Sequence, residues 1–120
     1  MVISVFRRRL KDGATFEEFK TAWEADKGFG VPARVFSAVS LEDPQEVLTV
    51  GFVAVEPEDL AAGLERTANQ EKVRHDRIDD VIETTELKAM YAVASEHDFS
   101  DVPREVSIGS TDSLLAALRT

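Results

Sequence analysis

The chain has 120 residues, a formal net charge of −9 and no cysteine. Its length fits a single domain, which can bury about two-thirds of its unfolded surface without covalent cross-links. Without cysteine there are no disulfides, thiolate metal ligands or cysteine nucleophile. The acidic balance opposes nucleic-acid binding, and the apolar runs are too short to span a membrane. The N-terminus places apolar before basic residues, the reverse of a secretory signal, so we expect a cytoplasmic protein.

A strand is predicted from Val2 to Leu10, because apolar residues occupy both of its faces at the start. Three consecutive arginines lie within it. Since side chains alternate along a strand, Arg7 and Arg9 share one face while Arg8 points to the other. The run is therefore not a single basic patch. We expect it to be a solvated strand end near carboxylates rather than a phosphate site.

The first helix is predicted to begin at Thr15, which has capping-box spacing with Glu18. Its end is predicted at Gly28, with Lys27 in the last turn. One apolar stripe at helical spacing consists of Phe16, Phe19 and Trp23.

A hairpin is predicted next, with strands Ala33–Leu41 and Val47–Val55 joined by a turn that contains Asp43 and Pro44. Gly51 lies inside the second of these strands. A glycine there marks either a bulge or a close approach by another group.

The second helix is predicted to begin near Pro57 and to continue as far as Ile82. A break near Asn69 is expected, because the phase of the apolar positions slips after it. A turn at residues 83–85 and a final strand, Leu87–Ser95, complete the pattern.

The predicted order β-α-β-β-α-β is the ferredoxin-like motif, an α+β fold with a four-stranded antiparallel sheet and both helices on one face. The strands carry apolar residues on both faces, and a monomer does not leave such a face in water. A second copy packed sheet to sheet covers it, which predicts a homodimer. This domain is expected to span residues 1–99. Residues 100–120 are expected to form a C-terminal tail with a short amphipathic helix from Thr111, docked through Leu114, Leu115 and Leu118.

The element order, and the run from His75 to Val93 of charged helix end, short turn and final strand, resemble the dimeric α/β barrel superfamily. Within it they resemble the antibiotic-biosynthesis monooxygenase-like proteins. The resemblance implies a small-molecule homodimer. It includes oxygenases that need no metal or flavin, and also haem-degrading enzymes. Those oxygenases use a polar strand residue such as asparagine, a tryptophan and a histidine of the second helix. His75 matches the histidine, Trp23 lies on the first helix, and Ser4 stands where an asparagine is wanted.

His75 is the candidate catalytic residue, as an acid or base with a pKa near working pH, or as a haem ligand. The alternative is a surface histidine paired with Asp79. His97, between Glu96 and Asp98, lacks an indicated third ligand, so no metal site is predicted. The predicted substrate-binding residues are Trp23, Phe36, Tyr91 and Arg34, where Trp23 has the alternative of a core residue and Arg34 that of a sheet-edge position.

Three functions remain open at this point. The first is a cofactor-independent oxygenase acting on a small apolar or aromatic substrate, with His75 as acid or base. The second is a non-catalytic ligand-binding or stress-related dimer, because no complete catalytic set is present. The third is a haem-binding protein. No cofactor, nucleic-acid partner or membrane partner is predicted.

Overall fold

The computed structural model describes residues 1–119, which form two α-helices and six strands. No helix of this part of the chain is long and apolar enough to cross a membrane. Short 3-10 turns precede the second helix and end the described chain, at Pro57–Asp59 and Leu114–Arg119. In chain order the elements are β1 (Val2–Leu10), α1 (Phe16–Trp23), β2 (Ala33–Val39), β3 (Glu46–Val53), α2 (Leu60–Asp79), β4 (Ile82–Ala92), β5 (Glu96–Asp98) and β6 (Arg104–Val106).

Strands β1 to β4 form one antiparallel sheet in the spatial order β2-β3-β1-β4, while β5 and β6 form a separate two-stranded ribbon. The predicted hairpin of β2 and β3 is present, each strand ending two residues earlier than predicted. Both helices cover one face of the sheet. Phe19 of α1 and Ile78 of α2 are buried there against Leu10, Val47 and Ile82 of the strands. The predicted ferredoxin-like α+β fold is therefore confirmed.

Helix α1 begins as predicted but ends earlier. The Thr15 hydroxyl accepts a hydrogen bond from the Glu18 amide at 3.2 Å and donates one to the Glu18 carboxylate at 3.3 Å. These bonds stabilise the first turn, whose amides have no partner within the helix. The predicted end at Gly28 is wrong, because the helix stops at Trp23.

The early end of α1 follows from side chains of α2. Arg74 donates a hydrogen bond to the carbonyl oxygen of Trp23 at 3.3 Å, and Arg77 donates one to that of Glu24 at 2.8 Å. Carbonyl groups at a helix end lack partners within the helix, and these two guanidinium groups supply them. The chain then crosses residues 24–32, the connecting segment, without regular structure.

Helix α2 is continuous from Leu60 to Asp79, so the predicted break near Asn69 is wrong. Its buried positions are Thr67, Arg74 and Ile78. Arg74 and Ile78 follow Thr67 by seven and eleven residues, which places all three on one face of the helix. Two of the three are polar. The apolar residues therefore lose their regular spacing, although the helix continues without a break.

Strand β4 begins at Ile82 instead of the predicted Leu87, and residues 83–85 belong to the strand rather than to a turn. Two register shifts against β1 each leave one glutamate, Glu83 or Glu86, without a facing residue. Such irregularities let a strand continue through a polar stretch. Ile82 is thereby placed in the buried core.

The sheet face opposite the helices is uncovered in the single chain, and we call it the open face. Phe36 is 59% exposed and Tyr91 52%. The ring of Phe36 meets that of Phe52 edge-on, with centroids 6.2 Å apart. By strand register, the apolar residues of the open face are Ile3, Val5, Phe36, Ala38, Leu48, Val50, Phe52, Leu87, Ala89 and Tyr91.

The ribbon of β5 and β6 was not predicted, and one carboxylate joins it to the chain end. Glu96 accepts a hydrogen bond from the Ser113 hydroxyl at 2.6 Å and another from the Leu114 amide at 2.8 Å. These bonds lower the pKa of the Glu96 carboxyl. The short helix predicted from Thr111 is a 3-10 helix that begins at Leu114.

Of the three leucines predicted to dock, Leu118 is buried, Leu115 is half-buried and Leu114 is exposed. The predicted domain division after residue 99 stays a prediction, although the ribbon pairs residues on both sides of it. The predicted tail also included Thr120, which lies outside the described residues.

Candidate functional site

A cavity of about 530 Å³ lies between the helix-covered face of the sheet and α2. It exists because α1 is short and covers only the end of the sheet that carries Leu10 and Ile82. At the other end, Phe29 and Val31 of the connecting segment form part of the wall. The cavity is large enough for a small organic molecule.

Apolar side chains from the sheet, the connecting segment and the first half of α2 contribute much of the lining. These residues are Val2, Phe6, Phe29, Val31, Val53, Val55, Leu60, Leu64 and Met90. Charged residues also line the cavity: Arg8 and Lys88 lie beside the Phe6 ring, and Arg66 lies near Gly30.

Gly51 allows Ser4 to reach the cavity wall. A methyl group at Gly51 would lie 2.7 Å from the Ser4 hydroxyl oxygen, which is closer than the two atoms can pack. The predicted close approach at this glycine is therefore present, and its partner is Ser4 on the adjacent strand.

Arg8 is the most unusual residue of the site. It is 3% exposed, and its Nη1 has no hydrogen-bond partner among the described residues. Its guanidinium carbon lies 4.2 Å from the centroid of the Phe6 ring. Burial, and to a smaller extent the charge of Arg74, lower the pKa of Arg8 to about 10, against an opposing effect of Asp79. The protein thus keeps a cation in a place where charge is costly.

The neighbouring arginine Arg74 is buried as well, but its bonds are used. Its Nε donates to a Glu71 carboxylate oxygen at 2.6 Å, and the guanidinium lies 4.6 Å from the Trp23 ring centroid. Together with its bond to the Trp23 carbonyl, these contacts tie α2 to the end of α1. Arg74 is a structural cation, whereas Arg8 has no ion-pair partner among residues 1–119.

His75 lines the cavity, half-buried, with its ring centroid 5.7 Å from that of Phe6. Burial, followed by the charges of Arg74 and Arg8, lowers the pKa of His75, which favours the neutral imidazole. Within residues 1–119 it forms no ion pair with Asp79 and no hydrogen bond from its ring. The surface-pair alternative for His75 is therefore wrong.

The charge of the lining is opposite in sign to that of the chain. Its carboxylates are Glu71 and Asp79, and its cations are Arg8, Arg66, Lys72, Arg74 and Lys88. The chain has a net charge of −9, yet the charged residues that line its cavity carry an excess of positive charge. Such a field attracts anions.

The arginine run divides as the alternation predicted. Arg7 pairs with Glu86 at 3.1 Å and Arg9 with Asp43 at 2.7 Å, so these two cations contact carboxylates on the open-face side. The expectation of a solvated strand end is wrong for Arg8, because its side chain lies under α2.

The predicted substrate-binding residues are not in this cavity. Trp23 packs beside the core and under Arg74. Arg34, Phe36 and Tyr91 lie on the open face, because their register partners on β1 and β3 alternate with those that face the helices. The structure brings none of these four residues together with His75 in the cavity lining.

Sequence reasoning missed Arg8, Lys88 and Phe6. The alternation along β1 already placed Phe6 and Arg8 on the same face as Leu10, a core residue. A charged residue in register with a core residue was the available signal. His97 lies 3.9 Å from Glu105, and the described residues hold no cluster of three groups suited to a metal ion.

The structure is that of a small ferredoxin-like protein with a cavity between its sheet and α2. The chain is similar to the crystal structure of a candidate antibiotic biosynthesis monooxygenase from Chloroflexus aurantiacus J-10-fl. The TM-score is 0.59 and the sequence identity 14%, over 81% of this chain and 96% of that one. At this identity the likeness shows the fold, as the run from His75 to Val93 predicted. No family model matches the sequence, and no curated protein matches it.

Proposed function

We propose that this protein is a homodimer that binds a small apolar or aromatic molecule in the cavity of each subunit and oxidises it without a metal or flavin. The observation that carries the proposal is the position of the His75 imidazole, which lines a largely apolar cavity with its ring centroid 5.7 Å from that of Phe6; burial there lowers its pKa. Buried acid–base groups with displaced pKa values are concentrated at functional sites. The likeness to a candidate monooxygenase supports the reaction class by analogy of fold.

In this proposal His75 removes a proton from an activated CH₂ group of the substrate. The lowered pKa keeps the imidazole unprotonated and able to act as a base. The resulting carbanion supplies electrons to O₂. One oxygen atom stays on the carbon as a carbonyl group, and the second leaves as water with the two hydrogens of the CH₂ group.

Oxygen uptake by the purified protein tests this activity. A panel of cyclic 1,3-diketones and hydroxylated naphthalenes supplies acidic C–H and O–H groups. We expect consumption of O₂ with at least one of them, and a rate about 10²- to 10³-fold lower for His75→Gln. His97→Gln is the matched control, because the second histidine lies in the β5–β6 ribbon. Equal rates for wild type and His75→Gln would remove His75 from the mechanism.

The homodimer is supported by the open face. Its apolar side chains come from all four strands, and Phe36, Leu48 and Tyr91 among them are exposed; exposed apolar patches mark interfaces in soluble proteins. Phe36→Asp places a charge in this surface, on its edge strand β2, and is expected to give a monomer in sedimentation velocity. Leu41→Asp is the control, because Leu41 is fully exposed in the turn after β2. A wild-type monomer at high micromolar concentration would contradict the proposal.

A non-catalytic ligand-binding dimer is the second candidate, and one observation favours it. A catalytic histidine is usually oriented by a hydrogen bond to its second ring nitrogen, and the described residues provide none for His75. Binding of panel compounds, seen as shifts of the His75 ring resonances, without O₂ uptake by any of them would select this candidate. The cytoplasmic location stays a prediction from the sequence.

A further inference from the structure

We propose that the ligand of the cavity is an anion, an apolar body that carries a carboxylate or phenolate, and that Arg8 is its anchor. The inference rests on the proposed function and names the chemical class of its ligand. It also assigns a binding role to Arg8 of the inner strand β1, a residue that the sequence analysis did not select as a site residue.

Arg8 is buried, and no carboxylate of the described residues forms an ion pair with it. A buried guanidinium normally has a carboxylate partner, since the desolvation of an unpaired ion is costly. The described residues form no ion pair with Arg8, and Asp79 acts on it only through longer-range attraction. Arg7 and Arg9, on either side in sequence, both have carboxylate partners within 3.1 Å. Arg8 is the exception, and the cavity is the space beside it.

A second cation lies beside the same ring. Lys88 of β4 has its Nζ 5.9 Å from the Phe6 ring centroid, and the guanidinium carbon of Arg8 lies 4.2 Å from that centroid. Lys72 and Arg74 are neutralised locally by Asp76 and Glu71, at 3.1 and 2.6 Å. Of the cations left for a ligand, Arg8 and Lys88 lie beside the Phe6 ring, whereas Arg66 lies near Gly30 of the connecting segment.

The lining combines charge with apolar surface. Arg8 and Lys88 supply positive charge beside Phe6, and side chains such as Phe29, Leu64 and Met90 supply apolar surface. A ligand with an oxyanion at one end and a ring system at the other satisfies both regions. A neutral apolar ligand leaves Arg8 unpaired and gains nothing from the cation excess.

A matched pair of probes tests the inference directly. The carboxylate 2-naphthoate and the neutral amide 2-naphthamide have nearly the same shape and differ in charge. Titration is followed by NMR of the histidine rings, where His75 reports on the cavity and His97 on the distant ribbon. We expect naphthoate to bind at least about tenfold more tightly than naphthamide. 4-Nitro-1-naphtholate, a phenolate at neutral pH, then distinguishes the two oxyanion classes.

Arg8→Met should remove this preference and make the two affinities equal, while Arg8→Lys should retain part of it. Lys11→Gln is the control for net charge, since Lys11 is exposed in the turn after β1. If Arg8→Met does not fold, the probe pair on the wild-type protein still decides. Equal affinities in wild type overturn the anion anchor and leave the ligand cavity intact. A His75 signal that neither probe shifts overturns both proposals.

The titration of His75 gives an independent readout. Arg8, Arg74 and Lys88 lower its pKa by their charge, and Glu71 opposes them. A bound carboxylate adds negative charge and should raise the pKa of His75, whereas a bound amide should lower it further by excluding water. The same direction of shift with both probes would contradict an anion beside Arg8.

Discussion

The space between the sheet and the helices has two ends that are built differently. At the packed end, Leu10, Phe19, Val47, Ile78 and Ile82 fill the layer and are buried. At the cavity end, the same strands and the same helix α2 enclose about 530 Å³. The strands that line the two ends are the same, so the difference lies in what covers them.

The cover at the packed end is α1, which supplies Phe19 from a helix of eight residues. Beyond Trp23 the chain continues as the connecting segment, which has no regular structure, and α2 is the one helix over the rest of the sheet. One helix cannot close the layer over four strands. The comparison shows that a binding cavity in this fold needs no special element. It results from a helix that ends early while the sheet continues.

Phe19→Ala should have the largest effect, because it opens a void at the packed end. We expect a loss of about 3–5 kcal/mol in the free energy of unfolding, measured with urea. Phe6→Ala is the matched change at the cavity end, where the ring already borders empty space. It should cost clearly less. Equal losses would mean that the two ends are packed alike.

The two buried arginines give the second contrast. Arg74→Met leaves the Glu71 carboxylate and the Trp23 carbonyl without their donor, and should cost about 3 kcal/mol. Arg8→Met removes a charge that has no partner and should leave stability unchanged or raise it. Urea unfolding in the absence of ligand distinguishes them. A comparable loss for Arg8→Met would reveal a structural role.

Gly51→Ala tests the close packing at the cavity wall. The new methyl group meets the Ser4 hydroxyl at 2.7 Å, and we expect a loss of about 1–2 kcal/mol. Ser4→Ala removes that hydroxyl, so the double variant should recover most of the stability. Gly28→Ala is the control, since a methyl group there meets nothing within 4 Å. Additive losses in the double variant would contradict the contact.

The smallest effect concerns pH. Because burial lowers the pKa of His75 in the folded protein, the unfolded chain binds this proton first as pH falls below about 6.5. His75 therefore contributes stability above pH 6.5 that is lost as pH falls toward the folded pKa. Wild type should lose more stability between pH 7.5 and 5.5 than His75→Gln does. Parallel losses in the two proteins would mean that the pKa is not lowered.

The order of elements was predictable from the sequence, because alternation, turn residues and the capping box at Thr15 and Glu18 are local signals. The orientation of the sheet was not. A period of two residues says that Arg34 and Phe36 share a face, and that Phe6 and Arg8 share one. When both faces are apolar, it does not say which face the helices cover. Three of the four predicted substrate-binding residues, Arg34, Phe36 and Tyr91, therefore lie on the face opposite the cavity.

The interior of α2 was unpredictable for a related reason. Its inward positions include Thr67 and Arg74, whose burial depends on partners distant in sequence, among them the Trp23 carbonyl. Periodicity counts hydrophobic residues and so cannot register a buried arginine that stabilises another helix end. For the same reason, periodicity did not indicate that Arg8 is buried.

The connecting segment, residues 24–32, affects the size of the cavity but not the positive charge beside Phe6. Phe29 and Val31 form wall, but none of the cations near Phe6 comes from this stretch. It is tied down by side chains of α2 that bond its backbone, such as Gln70 to the Gly28 carbonyl at 3.0 Å. Those bonds do not depend on the side chains of the segment. Substitutions at Phe29 or Val31 would therefore change the volume of the cavity and leave the cations beside Phe6 in place.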